Sequence, residues 1–471
     1  MVANVLGGAN RETGLSGIVL AQSSRRFFAC DDLPSVASRS AYIAQGDNMP
    51  VRFTLSPPNV PRTVARTAAA LLTVALIAAC STDKTAPTGL NASVDASRNG
   101  LSFAEGLASP AWQQTARDLV SAAAFSPLAA LHAYPLLGVA QYQAVQLADA
   151  ATGNGDGGRR RLEAERGAVA GASIVTLSYL FPTHVQDFQD LLTAQANAGP
   201  GQPHPGFAEG EAIGRAVGAA IVTRAISDGY SVVANPAPPV GPGFWTTNAP
   251  GLPVAGGQFP GITPWFLTSA QQFRPAAPPA FGSTDFNTAL AEIRQISDTR
   301  TTTQTQIAAF WALNAGTPTA AGFWLSVPTD SGWVAQHAMS EREVTHMYAL
   351  TSSTMMDATI GCWDAKLTYW LIRPWKADPA ITTTAAVGKP NHPSYPSGHS
   401  CVSSSGASVL STFFPEKAAQ MNAMVIQAGL SRMYGGIHYR FDIDAGQLLG
   451  HNVAAFAIAA DASGNSVLTP H

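Results

Sequence analysis

Three short stretches in the last quarter of the chain set the strongest condition on its fold. They are Lys366-x6-Arg373-Pro374, then Pro396-Ser397-Gly398-His399, then Ser431-Arg432-x5-His438-x3-Asp442. Together they hold three fixed cations, a hydroxyl, two imidazoles and one carboxylate, in a chain of 471 residues that is only 12% charged. Trp363, Trp370 and Trp375 flank the first stretch, and cations among large apolar groups need an anionic partner. A fold that serves all three stretches brings them to one place around an anion.

Each stretch has its own local physics. Lys366 and Arg373 are seven apart, two helical turns, so one continuous helix would send both heads from the same face, and Pro374 would end it. Two solvated charges on an amphipathic helix would look the same. Residues 391–396 read as irregular, with Ser397 capping a helix that opens at Gly398 and runs to about Leu410. Free amides and the dipole at such a start favour an anion, and Gly398 lets backbone approach it. Taken alone, Ser-Gly-His would read as an ordinary cap with a surface histidine. In the third stretch Gly435-Gly436 permits a tight bend. Asp442, four residues after His438, can hold one imidazole nitrogen and leave the other as an electron-pair donor; Asp444 is a poorer partner. Arginine grips oxyanions in a fork, and lysine acts as a mobile point charge.

At Lys366, Arg373, Pro374, Ser397, Gly398, His399, Arg432, His438 and Asp442 the chain resembles the type 2 phosphatidic acid phosphatase and vanadium-dependent haloperoxidase superfamily. The resemblance implies an all-α helical bundle with long Pro/Gly-rich loops and a central site. It implies that Lys366, Arg373, Ser397, Gly398, Arg432 and His438 hold an oxyanion, either a vanadate cofactor or a phosphate substrate. His438 is then the vanadium ligand or the phosphoryl-accepting nucleophile, His399 the general acid/base, Asp442 the orienting carboxylate, and Lys366 the group that polarises bound peroxide.

Two blocks, His392 to His399 and Gly435 to His438, are more similar to bacterial haloperoxidase-like proteins than to small acid phosphatases. The site-bearing region also lacks a membrane-length apolar run. Trp363 and His392 stand where that branch places its halide side, and His392 matches bromide-selective members. The expected reaction is oxidation of halide, bromide favoured, by hydrogen peroxide, with a small organic acceptor. The alternative is an acid phosphatase that cleaves a phosphate ester through a phosphohistidine. A third reading, a lipid-anchored binding protein without turnover, sits poorly with intact Lys366, Arg373, His399, His438 and Asp442.

The front of the chain bears on location. Arg62 and Arg66 precede a short apolar run, Thr67 to Ala79, followed by Cys80. This reads as a secretory signal, and Ile77-Ala78-Ala79-Cys80 resembles a lipobox in which Cys80 is lipidated. Residues 49–80 are the expected signal, with Met49 as start, 81–100 a linker, and 1–48 mistranslated upstream sequence or a disordered extension. The protein is therefore expected to be exported and lipid-anchored on the periplasmic or cell-surface side, meeting membrane only through that anchor. A net charge of −3 gives no reason to expect nucleic acid.

Residues 101–465 form the expected helical catalytic domain, with the site stretches in 363–442. Helices are predicted in 110–149, 159–197, 206–229, 285–314, 338–373, 398–412, 415–433 and 440–461. Residues 231–284, rich in Pro, Gly and aromatics, are predicted to be a long ordered loop or lid. Cys362 and Cys401 flank the site stretches and allow either a disulfide or two buried thiols.

Overall fold

Apolar, alanine-rich runs punctuated by proline and glycine produce a bundle of helices with long connecting loops. A computed structural model of the protein describes residues 106–152, 157–199, 204–464 and 466–470. All of them lie in one compact unit, Pro87–His471. The predicted extension 1–48, the signal, the lipobox with Cys80 and the whole linker 81–100 lie outside the described residues.

Among the described residues the helices are α1 Ser109–Ala122, α2 Pro127–Thr152, α3 Gly157–Leu180, α4 Val185–Ala196, α5 Pro205–Ser227, α6 Thr284–Thr299 and α7 Thr302–Phe310. They continue as α8 Thr319–Asp330, α9 Trp333–Gln336, α10 Glu341–Tyr369, α11 Pro374–Ala377, α12 Gly398–Phe413, α13 Ala418–Tyr434 and α14 Arg440–Ala462. There is no strand among these residues, only an isolated bridge between Phe244 and Leu371. No described helix is long and apolar enough to cross a membrane. The fold is all-α, as the sequence predicts; α8 and α9 fill a stretch for which no helix was expected.

Helix α10 is the axis. Ser340 and Glu343 form a reciprocal capping box at its start. From Met347 through Trp363 every residue is buried, so it is covered on all sides. The hydroxyls of Ser352, Ser353 and Thr359 satisfy themselves on carbonyls four residues back. Helices α2, α12 and α14 pack around it.

The closest helix pair is α3 with α5. Gly167 and Gly171 face Gly210 and Gly214, and a Cβ placed on Gly210 would stand 1.9 Å from the Ala164 carbonyl oxygen. Backbone cannot yield as a side-chain tip does. Gly210→Ala is therefore expected to destabilise the fold by about 3 kcal/mol, the upper end of the overpacking range, despite alanine's better helix propensity. A denaturant titration with an unchanged midpoint would contradict this seam.

One predicted element divides. The run 338–373 is not a single helix: α10 ends at Tyr369, and Trp370 turns into the left-handed region at φ 51°. The chain then pairs with the long loop. Trp245 N donates to Trp370 O (2.6 Å) and Ile372 N to Gly243 O (2.9 Å). Lys366 thus lies in the last turn of the helix, whereas Arg373 is extended at φ −79°, ψ 151°, just before α11. Their seven-residue spacing is not two turns of one helix.

Candidate oxyanion site

The three stretches converge through backbone as well as side chains. Ser397 N donates to Asp442 O (2.8 Å), and Ser394 N to Leu371 O (2.9 Å). Arg373 Nε donates to His392 O (2.9 Å) and its Nη1 to Ile437 O (2.6 Å). Lys366, Arg373, Ser397 and Asp442 are all completely buried, and Arg432 and His438 nearly so.

His438 precedes α14, and Asp442 occupies the first turn of that helix. The imidazole Nδ1 lies 2.8 Å from Asp442 Oδ2, and its Nε2 lies 3.0 Å from Arg373 Nη1. A guanidinium can only donate, so Nε2 must accept and Nδ1 carries the proton. Gly436, at φ +73°, makes the bend that presents the ring. Asp442 Oδ2 also accepts from the Ser394 hydroxyl (2.5 Å) and from Tyr439 N (3.1 Å), while its Oδ1 is buried without a partner. Burial pushes the Asp442 carboxyl up to about 6, against the pull of Ser394, Lys366 and Arg373. Burial, reinforced by the charges of Arg373 and Lys366, holds His438 well below the usual imidazole range.

Ser397 caps α12, with its hydroxyl accepting from Ser400 N (3.4 Å). Gly398 lies against the Trp363 ring, where a Cβ would come within 3.3 Å. His399 Nε2 lies 2.9 Å from the Trp311 carbonyl, which fixes its proton there and leaves Nδ1 as the acceptor. Burial and then the Arg432 charge keep this ring neutral, well below its ordinary range. Arg432 is braced by Ser431 Oγ (2.9 Å) and Ala308 O (3.2 Å).

Lys366 is placed differently from a freely mobile point charge. Its Nζ donates to the carbonyls of Pro393 (3.0 Å), Ser394 (2.9 Å) and Pro396. It therefore also ties down the loop that leads to Ser397. Burial brings Lys366 down to about 8.

Trp363 and His392 come together with ring centroids 5.0 Å apart. Trp363 Nε1 donates to Ala255 O (2.9 Å) in the long loop, and Arg373 Nη2 stands 3.1 Å from His392 Nδ1. Residues 231–284 do form a largely irregular cover, as predicted. Cys362 and Cys401 are two free, buried thiols.

Arg373, His392, Gly398, His399, Arg432 and His438 line one cavity of about 460 Å³, with Trp363, Ala255 and Gly256 beside them. The donor set suits an oxyanion. Lys366, Arg373 and Arg432 are buried against a single carboxylate, Asp442, leaving an excess of two positive charges that a dianion would neutralise. The start of α12 adds backbone donors. Sequence reasoning did not find Ser394 or the Trp311 carbonyl. A serine between prolines carries no distinguishing signal, and a backbone carbonyl has none at all.

Residues 345–462 match the PAP2 superfamily model. This segment spans all three stretches, and over it the chain is similar to the PAP2 superfamily. No curated protein sequence matches the chain. Among solved structures, a bacterial vanadium-dependent iodoperoxidase superposes with a TM-score of 0.63 at 23% identity, covering 74% of this chain and 95% of its own. A bacterial vanadium-dependent chloroperoxidase in holo form gives 0.58 at 13% identity, covering 75% and 96%. An apo bacterial vanadium-dependent chloroperoxidase gives 0.56 at 14%, covering 72% and 94%. At these identities the likeness is one of fold.

Proposed function

We propose that the protein is a vanadate-dependent haloperoxidase that uses hydrogen peroxide to oxidise halide, bromide favoured. The observation that carries this reading is the His438 ring. Its proton is held toward buried Asp442, and its opposite lone pair is turned toward Arg373 in a cavity that also contains Arg432. Trp363 and His392 beside that cup, and the fold shared with three solved structures of vanadium-dependent iodo- and chloroperoxidases, favour this branch.

Bound vanadate would supply Lewis acidity toward peroxide. The protein's own part is to hold and to move protons. Arg373 and Arg432 grip the anion, with Ser397, Gly398 and the first amides of α12 around it. Lys366 adds positive charge and fixes the loop behind them. His438 offers Nε2 as ligand, with its tautomer held by Asp442. His399 Nδ1 takes a proton from entering hydrogen peroxide, since its Nε2 is committed to the Trp311 carbonyl. Ala255, Gly256 and Gln258 of the long loop form part of the wall beside the cup.

The superfamily match also supports a phosphomonoesterase. In that reaction His438 attacks phosphorus, and His399, once protonated, donates to the leaving oxygen. A paired assay decides. With added vanadate, peroxide and bromide, the purified protein is expected to brominate an organic acceptor, and phosphate should abolish this. Hydrolysis of a chromogenic phosphate ester, inhibited by vanadate and without bromination, would replace the first reading by the second. Export and lipid anchoring at Cys80 belong to the same proposal, and metabolic labelling with a radioactive fatty acid, lost in Cys80→Ser, tests them.

A further inference from the structure

The cavity is larger than a five-atom anion requires and falls within the range of small organic ligands, roughly 300–1,000 Å³. None of the described residues that line it is Asp or Glu, whereas Lys389 at its exposed edge adds a further cation. Apart from the oxyanion cup, a second polar feature stands in its wall, the start of α8. Thr319, Ala320 and Ala321 line the cavity there, and Pro318 before them provides no side-chain cap. Thr319 N is occupied by Thr317 Oγ1 (3.1 Å). The next amides, those of Ala320 and Ala321, are therefore the donors that an uncapped twelve-residue helix presents. Independently, the Thr319 hydroxyl is fully buried and makes no hydrogen bond. A buried hydroxyl without a partner is costly, and a ligand oxygen would satisfy it. The residue also sits at φ +66°, an outlier for a β-branched side chain. Leu128, Leu131, Tyr230 and Val402 supply apolar surface in the same cavity.

We propose that the start of α8, through Thr319 Oγ1 and the amides of Ala320 and Ala321, binds the carboxylate of a small organic acceptor whose apolar body lies on Leu128, Leu131 and Tyr230. The assignment rests on the proposed function for what becomes of the acceptor, but its binding can be measured separately. Calorimetry on the full chain, with phosphate present to fill the cup, compares naphthalene-1-carboxylate with naphthalene-1-methanol. The carboxylate is expected to bind at least about tenfold more tightly. Thr319→Val, which keeps the shape, and Thr319→Gly, which accepts the positive φ, should each weaken carboxylate binding about tenfold and leave phosphate binding unchanged. Thr319→Ser should retain it. Equal affinity for the two probes, or wild-type carboxylate binding by the valine and glycine proteins, would overturn the proposal. A chain that binds phosphate but not the carboxylate also overturns it while leaving the cup intact. Carboxylate binding without phosphate binding supports the α8 site and removes the oxyanion reading instead.

Discussion

Replacing His438 by alanine is expected to lower turnover at least ~10³-fold, whether the assay is bromination or ester hydrolysis. Both reactions need an imidazole lone pair facing the central atom of the anion. The neighbouring rings cannot substitute. His399 commits Nε2 to the Trp311 carbonyl, and His392 packs against Trp363 with Nδ1 beside Arg373. Asp442→Asn should be milder, about 10–100-fold, since the ring stays but its tautomer is no longer enforced. Steady-state kinetics on the two variants give the comparison. Substantial turnover by His438→Ala would remove the role given to this residue, and an Asp442→Asn protein more impaired than His438→Ala would reverse their order.

The second large effect is on stability. Vanadate or phosphate at a hundred times its dissociation constant is expected to stabilise the folded chain by about 2.7 kcal/mol at neutral pH. The anion completes a charge set that is otherwise two positive charges in excess, and it favours protonated Lys366. Burial brings that group from 10.5 to about 8, so stabilisation by the anion should decline as pH rises through 8. The ligand-free chain responds in the opposite sense. Between about 8 and 10.5 its folded state binds fewer protons at Lys366 than the unfolded state does. This contribution to stability is complete above 10.5 and lost as pH falls through 8. Thermal unfolding across pH, with and without phosphate, measures both trends. Lys366→Met should flatten the ligand-free trend in that window, and an identical slope in the variant would assign it to other groups.

Much of this was legible in the sequence because it depends on short range. Ser397 caps its helix, Gly436 makes a bend, and Asp442 reaches His438 from four residues away; in each case the partners are neighbours in the chain. All-α architecture was legible from apolar runs of helical length and from prolines and glycines at their ends. Placing Arg373 on the helix of Lys366 was wrong for a long-range reason. The seven-residue spacing satisfies helical geometry, but pairing of 370–372 with 243–245 overrides it, and those partners are over a hundred residues distant. Ser394, the Trp311 carbonyl and the start of α8 were not visible for the same reason. Their meaning comes from what distant chain segments place beside them, and a hydroxyl or a carbonyl carries no periodic or compositional mark.

The left-handed turn at Trp370 makes chain length a part of the chemistry. A helix delivers one cation, and the hinge that stops the helix swings the second cation across to the opposite bank. Deleting or adding a single residue between 366 and 373 would preserve composition, hydropathy and net charge almost perfectly, yet it would rotate the guanidinium out of register with the His438 lobe. Tolerance to insertions in this segment should therefore be far lower than its short, irregular appearance suggests.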